Sequence, residues 1–152
     1  MKPAAGRAAP VAMLVAAATL TGCSLWRPTP APAPSPHDAC LALNDTLNAA
    51  VPPGQSLVEL QARGIRVRTP LRFAPGTLPA TAQSAGAAVQ GLIAPDGTVV
   101  PGSPKTLRSV GEPQTASAVE GAMLSMSFDF DGPAKPSAPV PFTTTYAVCA
   151  RS

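Results

Sequence analysis

Three cysteines, one histidine, a ladder of arginines and two alternating aspartates are the residues of this chain with chemistry to offer. His37 has no second histidine to join it and stands beside a proline-rich stretch, so it reads as a solvated side chain and not as a catalytic base or metal ligand. No Ser, Thr or Cys nucleophile is spaced to meet a base, and the Asp and Glu residues show no pairing, so an enzyme is not expected. The run Asp129-Phe130-Asp131-Gly132 has two of the oxygen ligands that calcium wants, but the remaining loop ligands are missing and a turn accounts for it better. No metal and no cofactor are expected. Arg66, Arg68 and Arg72 share one side of an alternating segment and form a ridge suited to an acidic partner or a lipid phosphate, with a solvated strand face as the plainer alternative.

The cysteines depend on what precedes them. Lys2 and Arg7 lead an apolar stretch over residues 8–20 of roughly 13 residues, short of the about 20 that span a bilayer. It ends in Leu20-Thr21-Gly22-Cys23, which resembles the bacterial lipobox; the resemblance implies cleavage before Cys23 and lipid on its thiol. Ser24, where an aspartate would signal retention at the inner membrane, implies the outer-membrane form. An ordinary signal peptide with an incidental Cys23 is the alternative. With Cys23 lipidated in an oxidising compartment, Cys40 and Cys149 admit a single pairing, worth roughly 4 to 5 kcal/mol at best on the chain-entropy model; two separate buried thiols is the other reading.

Twenty prolines and 12 glycines among 152 residues leave one modest domain once the leader is removed. The net charge of +3 includes Lys2 and Arg7, so the remainder carries about +1 and no polyanion is implied. Aromatic residues at 4% give little to stack bases on, which excludes nucleic acid as a partner, and no small-molecule substrate is indicated. The organisation expected is a signal peptide over 1–22, lipidated Cys and Pro/Ala-rich spacer over 23–36, and one folded domain over 37–152. Within the spacer, RPTPAPAPSP over 27–36 favours polyproline II and would span roughly 30 Å.

Positioning falls to short elements. Ser35-Pro36-His37-Asp38 reads as a helix start, with Cys40, Leu43, Leu47 and Ala50 on one face and Pro52-Pro53 as the stop. Residues 65–73 alternate Ile65, Val67, Leu71 and Phe73 against the arginines, a half-buried strand that Pro70 places at an edge or a bulge. A short helix is expected from Leu78 to Gly86, then a strand over 87–94, a tight turn at Asp96-Gly97, and a return strand broken by Pro101 and Pro104 before 106–110. Val119, Ala122, Met123 and Met126 recur at helical spacing. A long strand is expected over 140–150, with Val140, Phe142, Thr144, Tyr146 and Val148 on one face and Cys149 on the other.

From about Arg66 onward this order resembles the C-terminal domain of TonB-type energy transducers, through Leu78, Pro79, Ala82 and Gly86, the Asp96-Gly97 turn between strands, Ala118 and Ala122 leading to Phe128 and Gly132, and the later Pro139-Val140. The likeness covers about 85 residues. It implies an α+β fold, a small antiparallel sheet with two helices on one face, to which the disulfide adds an N-terminal helix stapled across the sheet's other side. It also implies a binding role, without force transmission, since the chain offers a cleaved leader and a lipid where a transducer has a transmembrane helix. The expected function is an outer-membrane-anchored periplasmic module that pairs a segment of an envelope protein with an exposed strand edge, most naturally near Phe142, Thr144 and Tyr146. The alternative is a structural or assembly lipoprotein using the Arg66, Arg68 and Arg72 face. The expected partners are the membrane, through the lipid anchor, and an envelope protein.

Overall fold

The computed structural model describes residues 32–77 and 84–149; the leader, Cys23, most of the proline spacer and the segment opening at Leu78 lie outside them. The chain divides into two units, residues 1–32 and 33–152, and the second carries every described helix and strand.

Helix α1, Pro36–Asn48, starts as its sequence dictates: Ser35 is the N-cap, its hydroxyl accepting from the Asp38 N–H, and Pro36 needs no donor in the first turn. Helix α2, Leu57–Ala62, was not expected. It is only six residues long, and a reciprocal capping box holds it: Ser56 Oγ accepts from the Glu59 N–H while Glu59 Oε2 accepts from the Ser56 N–H at 3.1 Å. Gly64, at φ 81°, then reverses the chain into strand β1, Ile65–Thr69. β1 stops at Pro70, which has no N–H for a ladder, yet Leu71 and Phe73 still pack on the core as the alternation required.

Strand β2, Ala85–Ile93, begins where the helix closed by Gly86 was expected. Gly86 is extended strand instead, paired with Ala147 of the last strand, and a side chain there has no room: a Cβ would lie 2.5 Å from the Tyr146 carbonyl oxygen and 2.7 Å from Leu47 Cδ1 of α1. The Asp96-Gly97 turn forms as read, with Ala94 N–H donating to the Thr98 carbonyl and Val100 N–H to Leu92. The return is brief, because Pro101-Gly102 turns the chain again before β3, Lys105–Val110. Helix α3, Pro113–Met123, leads to β4, Ser127–Phe130, a strand where a turn was expected, and β5, Val140–Val148, closes the fold.

The class is α+β, with two antiparallel sheets in place of one: β3-β2-β5, and a separate ribbon of β1 and β4. One face of the three-stranded sheet (Ala87, Val89, Ile93, Phe142) is covered by Leu60 of α2, Val119 and Met123 of α3, and Ile65 and Phe128 of the ribbon. Phe128 meets Phe142 edge to face at 4.9 Å, and Phe73 lies 4.6 Å from Tyr146. The other face is covered by α1, where Leu43 and Leu47 bury against Ala88. Cys40 and Cys149 are joined, their Cα atoms 5.5 Å apart and 109 residues apart in sequence, so the helix is stapled across the sheet's other side.

Candidate strand-edge interface

A residue in a strand points its N–H and C=O to the same border, so hydrogen-bonding parity states which groups each outer strand leaves over. In β5 the even residues face β2, from Val140 opposite Ile93 to Val148 opposite Ala85, and the odd residues face outward. Pro141 has no N–H to present there, and the Thr143 N–H donates to the Gln55 carbonyl at 2.7 Å. Thr145 and Ala147 keep outward N–H and C=O groups without a backbone partner among the described residues, and the Thr145 hydroxyl is turned to Asn48 of α1. Phe142 and Thr144 are buried and Tyr146 half-buried, so these three expected contact residues face the core.

β3 is interrupted differently. Its ladder with β2 slips by one residue between Ala88 and Val89, making a bulge at Leu107, and the outward Thr106 N–H and hydroxyl both donate to Glu120 Oε1 of α3, at 2.8 and 2.7 Å. Lys105 and Arg108 add charge along this border. Bulges and charges of this kind keep edges from pairing.

β1 also slips in register against β4, between Val67 and Thr69, but no side chain of another element closes its outward groups among the described residues. The Asp131 N–H donates to the Gly64 carbonyl at 2.8 Å, which puts Gly64 and Arg66 on the β4 side and leaves Ile65 and Val67 facing outward. No backbone or side-chain group among the described residues takes their N–H or C=O. Beside this border runs a groove of about 290 Å³ lined by Leu57, Val58 and Gln61 of α2 and by Ile65, Arg66 and Val67. Ile65 is 6% exposed, but Val67, on the same face, is 39% exposed and Val58 77%. Val67 thus lies on the inward face and is left open where Ile65 is buried.

The arginines stand on the opposite face of β1 and find their acidic partner within the chain. Arg66 pairs with Asp131 at 2.7 Å and Arg68 with Asp129 at 3.4 Å, while Arg68 Nε also donates to Ser127 Oγ. Both guanidinium groups stay more than half exposed. Arg72 lies beyond the strand, its backbone N–H on Ser125 Oγ, so the three arginines do not form one continuous ridge. Glu59, which caps the groove's helix, is held below the usual glutamate range first by the Ser56 hydroxyl, then by the Gly54 and Ser56 N–H groups, with Arg63 adding its charge. Among the described residues no cluster of His, Cys, Asp or Glu could hold a metal, and no helix is long and apolar enough to cross a membrane.

No protein-family model matches the chain, and no curated protein matches it either.

Proposed function

We propose that the protein is an outer-membrane lipoprotein, anchored through Cys23 and facing the periplasm, whose folded unit binds a segment of another envelope protein by strand addition. The observation that carries this reading is the open border of β1, with outward Ile65 and Val67 beside the groove that α2 forms. The site is thus moved from β5, where Gln55 and Pro141 occupy half of the border. On this reading the likeness to TonB-type C-terminal domains extends to a small sheet that accepts an extended chain, and a lipid anchor takes the place of a force-transmitting helix. A purely structural role for the arginine face against anionic lipid has less behind it, because Arg72 lies beyond β1 and the three arginines do not form one ridge. The test is amide hydrogen exchange on the full-length protein against peptides tiled across periplasmic segments of envelope proteins. Slowed exchange at Ile65 and Val67 with one of them is expected; unchanged exchange along every strand border with all of them contradicts the proposal.

A further inference from the structure

The geometry points to the kind of segment β1 accepts: an extended peptide alternating apolar and acidic residues, with the acids beside Arg66 and Arg68. This inference rests on strand addition at β1 and adds to it the chemistry of the occupant.

A strand laid against Ile65 and Val67 must send successive side chains to opposite faces. On the inner face they come beside Val67 and Val58, which are 39% and 77% exposed, at the groove that half-buried Leu57 also lines. On the outer face they come beside Arg66 and Arg68, within the about 5 Å at which cross-strand side chains interact. β1 would then be the middle strand of three, its arginines flanked by Asp129 and Asp131 on one side and by the newcomer on the other. Arg66 reaches Asp131 through Nη2 alone, and Arg68 uses Nη1 and Nε on β4, so both retain N–H donors for a second carboxylate.

The same charges decide against a second copy of this chain as the occupant. Antiparallel pairing of β1 with itself would set arginines across from arginines on one face, and like charges directly opposite are destabilising. The chain's own proline spacer fits no better, since RPTPAPAPSP has no acidic residue to set beside Arg66 and Arg68.

The probe is a short synthetic peptide alternating Val and Glu, measured against the full-length protein beside a Val and Gln version, by titration calorimetry and residue-resolved amide exchange. The Glu peptide should slow exchange at Ile65 and Val67 and bind about tenfold tighter than the Gln peptide at low salt, as two partly exposed ion pairs allow. Added salt should narrow the gap. Arg66→Gln with Arg68→Gln should erase the gap between the two peptides, and a gap that persists in this variant overturns the acidic assignment. Equal binding of both peptides at β1 overturns the acidic assignment and leaves strand addition standing. Protection at Thr145 and Ala147 with none at Val67, or a peptide-independent dimer that protects Val67, overturns this inference and relocates or reassigns the border. Absence of protection at any border overturns both readings.

Discussion

The borders of β1 and β3 belong to the same small unit and are treated in opposite ways. At β3 a carboxylate from α3 takes the outward Thr106 N–H; at β1, whose ladder with β4 slips between Val67 and Thr69 as that of β3 slips at Leu107, no side chain among the described residues takes the Ile65 and Val67 groups, and α2 leaves a groove beside them. Edge pairing is a hazard that folded proteins suppress. Glu120 closes part of the β3 border, and no side chain among the described residues does the same at Ile65 and Val67; on the proposed function that difference is what admits a partner strand.

The largest effect should come from the staple, and it should leave that asymmetry untouched. Replacing Cys40 and Cys149 by Ser removes a cross-link over a loop of 109 residues, a loss of about 4 kcal/mol on the chain-entropy model. α1 buries only Leu43 and Leu47, against Ala88 of β2, so its amides should exchange first while β1 still binds peptide. Denaturant titration and exchange of the double variant check this; loss of peptide binding with the sheet intact would mean the β1 border depends on α1. Glu120→Ala is next. It frees the Thr106 N–H and hydroxyl, should cost about 1.5 kcal/mol, and should make the Thr106 amide exchange quickly, so that the two borders become alike. Thr115→Val tests the core that supports both borders: the Thr115 hydroxyl is buried without a hydrogen-bond partner among the described residues, and removing it should raise stability by about 1 kcal/mol in the same titration.

The smallest effect is one of pH, on the groove's wall alone. Because the Glu59 carboxyl is depressed in the folded state, its contribution is whole above the unfolded value and lost as pH falls through the depressed one. Exchange of the α2 amides, corrected for intrinsic rates, should speed up over that window while β2 amides do not, and Glu59→Gln should abolish the dependence. Asp96, lowered first by the Thr98 hydroxyl, adds a similar dependence confined to its turn.

What could be read in advance was what neighbouring residues decide among themselves. Ser35-Pro36-His37-Asp38 marked the start of α1, Asp96-Gly97 marked the turn, and two remaining thiols left one pairing. α2 escaped because six residues show no period, and Pro52-Pro53-Gly54 before it read as loop; Ser56 and Glu59, three apart, were the available signal. β4 read as a turn because its partner lies about 60 residues away, although arginines alternating in one short segment and aspartates in another were a legible hint that the two pair. Which border stays open is a property of the assembled sheet. Gln55 reaching Thr143 and Glu120 reaching Thr106 are contacts that no local pattern in the sequence announces.

Residue-resolved amide exchange on the free protein tests the central claim most directly. If β1 has an open border, the Ile65 and Val67 amides exchange at rates near those of exposed loops while Arg66, whose N–H faces β4, is protected. Protection of Val67 equal to that of Arg66 would mean the border is already occupied, and the account would fail.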